Sequence, residues 1–206
     1  MNLKDYIEFH FRNLFPFFPE NYLNDITQIL KDVKEILTED IRYYPHYSNF
    51  VWDEEKLIEI IMVNASLEAV VLYRIENKLF HQNQDHALLD FLSNMMKIRS
   101  GAELYYSTDI GPGFRVVHSN GIVLGPRNKI GANFSIYQNV TIGQRRTAAD
   151  FVNIGDNVQL SSGSKILGKL SIGSNTVIGA NAVLISDAEP NSTYVGLPAR
   201  KVVCKA

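Results

Sequence analysis

An α+β fold, with helices in residues 1–99 and a β-solenoid in residues 100–206, is predicted by three observations in the sequence. The first is a hexad repeat: a branched aliphatic residue stands at every sixth position from Leu124 to Leu184, with one exception. A period of six fits neither a helix nor an alternating strand, and it indicates triangular coils of three hexads. The second is helical spacing of apolar residues in the first half. The third is the change of pattern near Arg99-Ser100-Gly101-Ala102, where the first strand of the solenoid is expected.

The helical half contains apolar residues at intervals of three and four, which is typical of amphipathic helices. The pattern covers Tyr22 to Leu37, then Lys56 to Phe80, and a third helix is predicted over roughly Asp85 to Lys97. An aromatic-rich connection around Pro45 separates the first two helices. These helices are expected to cover the open end of the solenoid or to join subunits.

In the second half, one aliphatic side chain per hexad is expected to point inward and to stack on its equivalent in the next coil. A second series of apolar or small residues stands two positions earlier, and only Asn128 and Arg146 interrupt it. Glycine often follows the inward residue, as a crowded corner requires. The predicted inward residues are Leu124, Ile130, Ile136, Ile142, Ile154, Leu160, Ile166, Ile172, Ile178 and Leu184.

The skipped position lies between Ile142 and Ile154, where the sixth residue is Ala148. Arg146 stands at an inward place of the second series, and burying an unpaired guanidinium costs several kcal/mol. The segment from about Gln144 to Val152 is therefore expected to leave the coil as an external loop, which is a usual place for binding residues.

Composition excludes several classes of protein. The net charge of −2 gives no indication of a nucleic-acid partner, and the single cysteine, Cys204, excludes a disulfide framework. No apolar run reaches the ~20 residues of a membrane span, and the first residues do not resemble a secretory signal. A cytoplasmic protein is expected.

His118 stands six residues before Leu124, where the hexad register would place an aliphatic residue. Its surroundings, together with four other segments, resemble the serine acetyltransferase group of hexapeptide-repeat acyltransferases, whose solenoid is a left-handed parallel β-helix. The resemblance runs from about Asn64 to Val203. The matching segments are His118 to Gly125, Ser135 to Gly143, Gly163 to Gly168, Val195 to Arg200, and Tyr73-Arg74-Ile75.

The resemblance implies a trimer, or a dimer of trimers joined through the helical domains, with acetyl-CoA between neighbouring solenoids. His118 would be the general base that takes the proton of an acceptor hydroxyl, and Glu103 occupies the place of the carboxylate that orients it. Acetyl-CoA would contact backbone amides near Ser162 and Ala180. Cationic partners for its phosphates would be Lys165, Arg200 and Lys201.

The sequence departs from the family at three places, two of which concern the acceptor and one a partner protein. Val117 stands where the family has an aspartate for the serine amino group, the second histidine of the family is missing near Phe151, and the C-terminal tail that a sulfhydrylase captures is absent. A sulfhydrylase complex is therefore not expected. Arg145, Arg146 and Asp150, with Asp53 of the helical half, could rebuild a charged acceptor site.

These departures favour a sugar hydroxyl, as in surface polysaccharide assembly, slightly over L-serine as the acceptor. The alternatives are a serine O-acetyltransferase of cysteine biosynthesis and a non-catalytic hexapeptide scaffold. A metal-dependent enzyme is not favoured, because His118 is the only histidine of the predicted solenoid.

Overall fold

The structure is a computed structural model that describes residues 5, 6, 9, 21–82 and 86–202, and in 21–27 only the backbone. Its helices are α1 (Asn21–Arg42), α2 (Glu54–Val63), α3 (Ala65–His81) and α4 (His86–Ser100), with a 3-10 turn at Pro45–Tyr47. No helix within these ranges is long and apolar enough to cross a membrane. Asp85, where the third helix was predicted to begin, and Cys204 lie outside the described residues, and so does the side chain of Tyr22.

The predicted helix from Lys56 to Phe80 is in fact two helices that meet at Asn64. This residue adopts a φ of −132°, and its side chain accepts a hydrogen bond from the Leu67 N–H at 3.1 Å. Asparagine is among the best residues for capping a helix N-terminus, because its side chain satisfies an N–H that has no partner within the helix. The local cap therefore outweighs the continuous apolar pattern.

The second half is a solenoid of short strands that begins at Glu103. The strands are β1 (Glu103–Leu104), β2 (Asp109–Ile110), β3 (Arg115–Val117), β4 (Val123–Leu124), β5 (Lys129–Ile130), β6 (Ser135–Tyr137), β7 (Thr141–Gly143), β8 (Val152–Ile154), β9 (Gln159–Leu160), β10 (Lys165–Leu167), β11 (Leu170–Ile172), β12 (Val177–Ile178), β13 (Val183–Leu184), β14 (Thr193–Val195) and β15 (Arg200–Val202).

Every third strand belongs to the same sheet, as expected for triangular coils. Sheet A runs β1-β4-β7-β10-β13, sheet B runs β2-β5-β8-β11, and sheet C runs β3-β6-β9-β12-β14. All of these pairs are parallel, and β15 closes sheet C by pairing antiparallel with β14. The result is a three-sided prism whose three edges are the corners between sheets.

The core of the prism is the predicted stack of aliphatic side chains. All ten residues from Leu124 to Leu184 that the hexad rule selected are buried. The stack also extends toward the N-terminus, because Leu104, Ile110 and Val116 pair in register with Leu124, Ile130 and Ile136. The hexad prediction is therefore confirmed and covers one coil more than the sequence pattern showed.

A ladder of asparagine side chains runs along the corner between sheets B and C. Asn133 donates to Asn157 at 3.0 Å, Asn157 to Asn175 at 3.0 Å, and Asn175 to Asn191 at 2.9 Å. All four residues have a positive φ between 53° and 59°. Asparagine tolerates this left-handed conformation better than most residues, so the same residue type provides both the turn and the bond between coils.

The segment after β7 leaves the coil, as predicted, and residues 144–149 are exposed. The coil resumes at Val152, whose buried N–H donates to the side-chain oxygen of Asn128 at 2.8 Å. The amide group of Asn128 in turn donates to the Gly125 carbonyl at 2.7 Å. Asn128 is thus inside the solenoid because its hydrogen bonds fix the point where the loop returns.

The helical half packs on the first coil through a buried ion pair. Arg74 donates to Asp40 at 2.7 and 3.0 Å and also to the carbonyls of Ile110 and Gly111. Asp40 accepts a further bond from the Phe114 N–H at 2.8 Å. Since each charged group is fully hydrogen-bonded, the pair satisfies the polar backbone at the end of the solenoid.

Candidate active site

His118 lies at a corner of the prism, between β3 of sheet C and β4 of sheet A. The inward position that the sequence analysis gave it belongs to Val116, which pairs with Ile136 and is buried. Eight positions separate Val116 from Leu124, whereas six separate Ile136 from Ile142. The two extra residues bring His118 out of the core, where its side chain is exposed and its φ is 52°.

The helical half holds the chain on both sides of His118. The Tyr44 hydroxyl accepts from the Val116 N–H at 3.0 Å and donates to the Val116 carbonyl at 3.1 Å. On the other side, the Ser119 N–H donates to the Ser66 hydroxyl at 3.1 Å, and the Ser119 hydroxyl donates to the Ser100 carbonyl at 2.7 Å. These bonds fix a left-handed residue that would otherwise be strained.

A cavity of about 280 Å³ opens beside His118, between the solenoid and the helical half. Its solenoid wall is the outer face of β3 with Tyr137 of β6, and its other wall comes from the connections before α2 and α3. A guanidinium and an imidazole therefore share one small space with hydroxyl and amide groups. The lining residues are Tyr44, Pro45, Asn64, Ser66, Arg115, Val116, Val117, His118 and Tyr137.

Glu103, the predicted partner of His118, lies on β1 and forms an ion pair with Lys97 at 3.1 Å. Within the described residues no hydrogen bond joins it to His118. It lines a separate cavity of about 280 Å³ between α4 and the first coil, together with Tyr105 and Tyr106. An orienting role for Glu103 therefore stays a prediction.

The residues predicted near acetyl-CoA follow His118 along the same edge of the prism. Ser162 is at the corner between β9 and β10, and Ala180 at the corner between β12 and β13; both corners connect sheet C to sheet A. With strands about 4.8 Å apart, Ala180 lies three coils and about 14 Å from the His118 corner. The edge is thus long enough for an extended ligand that reaches the His118 corner.

The predicted phosphate partners are distributed around this edge. Lys165, at the start of β10, donates to the Thr141 hydroxyl at 3.2 Å. Arg200 and Lys201 lie on the terminal strand β15, where Lys201 forms an exposed ion pair with Glu189 at 2.6 Å. The Lys201–Glu189 ion pair is at the surface, so a phosphate group could replace it at small cost.

Arg145, Arg146 and Asp150 lie in the loop at the corner between sheets A and B, which is a different edge from that of His118. They line a cavity of about 260 Å³ with Lys169. One carboxylate oxygen of Asp150 accepts bonds from the backbone N–H groups of Arg145 and Arg146, which lower the Asp150 pKa to about 2. Asp150 thus shapes the loop, and the loop does not reach His118 of its own chain.

Asp53 has a structural role at the start of α2. Its carboxylate accepts a hydrogen bond from the Lys56 N–H at 3.1 Å, which makes it the N-cap of that helix. It does not line the cavity beside His118. Sequence reasoning instead missed Tyr44, Ser66 and Arg115, although Tyr44-Pro45 in the aromatic connection was a signal that an ordered turn stands there.

Comparisons of sequence show the relatives of this chain. The family model described as "Bacterial transferase hexapeptide (six repeats)" matches residues 151–186. A serine acetyltransferase of Staphylococcus epidermidis is 36% identical over 143 residues, which are 68% of this chain and 67% of the relative. A serine acetyltransferase of Staphylococcus aureus is 35% identical over the same length and the same shares of both chains.

Solved structures agree with these relatives. The serine acetyltransferase of Neisseria gonorrhoeae in complex with serine superposes with a TM-score of 0.76 and 29% identity, covering 88% of this chain and 74% of that one. A serine acetyltransferase in complex with CoA gives a TM-score of 0.75 and 27% identity, with 87% and 73% covered. The predicted fold class, a helical domain followed by a left-handed parallel β-helix, is confirmed.

Proposed function

The chain belongs to the serine acetyltransferase family of hexapeptide-repeat acyltransferases, and from this membership we propose that it acetylates the hydroxyl group of L-serine. It is an acyltransferase with acetyl-CoA as its co-substrate. The acceptor expected from the sequence alone was a sugar, but the relatives are serine acetyltransferases, and they support L-serine better. The assignment of His118 and the other site residues is part of this proposal.

The observation that carries the proposal is the exposed imidazole of His118 at one end of the edge that also holds Ser162 and Ala180. An imidazole has a pKa near neutrality and can accept the proton of the hydroxyl as its oxygen attacks the thioester carbonyl. The tetrahedral intermediate then expels the CoA thiolate, which takes the proton back from His118. The products are the acetyl ester and CoA with a free thiol.

A neighbouring subunit would complete the site. Arg145 and Arg146 lie on a different edge from His118 of the same chain, so only a second copy could bring that loop to His118. The family supports an oligomeric assembly, and we propose a trimer in which one subunit's loop covers the next subunit's His118 edge. Light scattering of the purified protein would give a mass three or six times that of the 23.3 kDa chain, and a monomer would contradict the shared site.

A sugar acceptor remains the second candidate because of one observation at the cavity. Its described lining contains no carboxylate for the serine ammonium, and Val117 stands beside His118 where the family has an aspartate. The lining also contains the half-buried Tyr137, and an aromatic ring with a hydroxyl group suits a sugar.

The experiment measures release of the CoA thiol from acetyl-CoA with L-serine and, separately, with a panel of sugars and nucleotide sugars. We expect turnover with L-serine that His118→Ala reduces by about 100-fold or more. The matched control is His81→Ala, which removes an exposed contact with Asp109 at 2.8 Å and an edge contact with the Phe80 ring. His81 does not line the cavity beside His118, so this variant is expected to keep full activity.

The acceptor that supports thiol release distinguishes acetylation of L-serine from acetylation of a sugar. Turnover only with a sugar would establish the second function. If no acceptor releases thiol from acetyl-CoA while light scattering shows an intact oligomer, the chain is a scaffold and the proposal is wrong.

A further inference from the structure

Arg115 is a cation without an anionic partner in the cavity beside His118. It lies on β3, three residues before His118, and both side chains line the same space of about 280 Å³. Its guanidinium carbon stands 5.3 Å from the ring centroid of Tyr43. Among the described residues no carboxylate forms an ion pair with Arg115, and its buried Nε has no hydrogen-bond partner. A buried guanidinium N–H without a partner is costly, so a ligand is the natural acceptor.

The nearby acidic residue cannot serve this purpose. Asp40 is buried in the same region, but its two oxygens already accept bonds from Arg74 at 2.7 and 3.0 Å and from the Phe114 N–H at 2.8 Å. Turning Asp40 toward Arg115 would leave the buried Arg74 unpaired. The anionic group that Arg115 lacks must therefore come from outside the described chain.

The form of the site indicates which anion fits. A guanidinium presents a planar pair of N–H groups that matches a carboxylate. Within one subunit, Arg115 is the one arginine or lysine of the described residues that lines this cavity, so this wall of the cavity balances a single negative charge. The same lining offers no carboxylate for an ammonium group, because Val117 stands next to His118.

We propose that Arg115 binds the carboxylate of the acceptor, and that the acceptor class is a short hydroxy acid whose α-amino group is not required. The inference rests on the proposed function and narrows it. L-Serine satisfies it through its carboxylate, with its hydroxyl directed to His118. A hydroxy acid without nitrogen is then accepted as well.

The first test uses the wild-type protein with three acceptors and acetyl-CoA, and measures thiol release. L-Serine and 3-hydroxypropionate, which lacks the amino group, are expected to differ in kcat/KM by less than about tenfold. L-Serinamide, which lacks the carboxylate, is expected to fall by about 100-fold or more, because the guanidinium would again lack a partner. Equal rates with L-serine and L-serinamide would overturn the proposal.

The second test changes Arg115. Arg115→Gln is expected to abolish the preference for L-serine over L-serinamide while KM for acetyl-CoA stays within about twofold, and Arg115→Lys to restore part of that preference. The matched control is Lys129→Gln, which removes an exposed charge from β5 on another face of the prism. Thermal unfolding shows whether each variant is folded. If folded Arg115→Gln kept the full preference, Arg115 would not be the carboxylate partner.

A binding measurement separates this inference from the proposed function. Calorimetry without acetyl-CoA should show that 3-hydroxypropionate binds to the wild type and that 3-hydroxypropionamide does not. If no acceptor supports turnover, the proposed function fails, yet Arg115-dependent binding of the acid would still support the carboxylate site. Absence of binding of both compounds, or binding that Arg115→Gln leaves unchanged, would contradict it.

Discussion

The Tyr44 hydroxyl makes both backbone hydrogen bonds of Val116, accepting from its N–H and donating to its carbonyl. β3 is the outermost strand of sheet C, so no further strand can pair with this side of it. Tyr44 thus takes the place of a neighbouring strand, two residues before His118. The helical half therefore does more than cover the apolar end of the solenoid, because it also sets the position of the candidate base.

Replacing Tyr44 by phenylalanine tests this relationship. The variant loses the partner of two buried backbone groups, so we expect the free energy of unfolding to fall by about 1–3 kcal/mol and kcat by about tenfold or more, since His118 is displaced. Urea unfolding and thiol release measure the two effects. Tyr43→Phe is the control, because it removes only an exposed bond to the Asn133 carbonyl at 3.2 Å. If Tyr44→Phe and Tyr43→Phe lowered stability and kcat equally, the hydrogen bonds between Tyr44 and Val116 would not be what positions His118.

Asn128 and Ser164 occupy equivalent places two positions before an inward aliphatic residue, and they should respond oppositely to apolar substitution. Asn128→Val leaves the buried Val152 N–H without its partner and is expected to lower the free energy of unfolding by about 1–3 kcal/mol or more. The buried hydroxyl of Ser164 has no partner in the described structure, so Ser164→Ala is expected to be neutral or stabilising. Urea unfolding measures the stability of both variants. If Asn128→Val were as stable as the wild type, an apolar residue at this position would matter more than the hydrogen bond from Asn128 to Val152.

Glu76 should make stability depend on pH. Complete burial raises the pKa of this carboxyl well above its ordinary value of 4.5, although Ser93 donates to it at 2.7 Å. Between 4.5 and the raised pKa the folded protein binds more protons than the unfolded chain. The free energy of unfolding therefore falls as pH rises, by up to about 1.4 kcal/mol per pH unit.

Glu76→Gln removes this titration. Above pH 4.5 the variant should be more stable than the wild type, and the difference should grow as pH rises. Urea unfolding from about pH 5 to about pH 8 measures the difference. Glu59→Gln, on the exposed face of α2, controls for the loss of one surface charge. Parallel pH profiles for the wild type and Glu76→Gln would contradict a protonated Glu76.

Two glycines that follow inward residues test the crowding of the corners. A Cβ atom at Gly173 would stand 2.4 Å from the Pro190 nitrogen and 2.7 Å from its Cα, so Gly173→Ala is expected to cost about 1–3 kcal/mol. At Gly143 the nearest atoms would be 3.7 and 3.8 Å away, which is ordinary contact. Gly143→Ala should therefore be neutral or stabilising by up to about 1 kcal/mol. Thermal unfolding measures the stability of both variants. Equal losses of stability would show that the two corners are not crowded to different degrees.

The repeat in the sequence predicted the solenoid and its core because one residue per hexad carries the pattern. The external loop was predicted for the same reason, since Arg146 could not be inside. The pattern failed at His118 and at Asn128. An insertion of two residues moved the histidine out of register, and hydrogen bonds made an inward asparagine favourable. Neither effect is visible in a period of apolar residues.

The candidate site was predicted only in part, because its second wall comes from the distant helical half. His118 was found through its neighbours along the chain. Tyr44 and Ser66 reach it only through the packing of α1 and α3 on the first coil, and Arg115 looks like an ordinary strand residue until its lack of a partner is known. Asp53 was assigned to the acceptor, whereas the local geometry uses it to begin α2.

The asparagine ladder makes whole coils interchangeable building blocks. Asn157 and Asn175 are 18 positions apart, which is three hexads, and each donates to the coil that follows it. If a coil of 18 residues were duplicated, the asparagine of the new coil could accept a hydrogen bond from the asparagine of the coil before it and donate one to the asparagine of the coil after it. Evolution, or a protein engineer, could thus lengthen the edge along which the acyl donor is proposed to lie without altering the corner that holds His118.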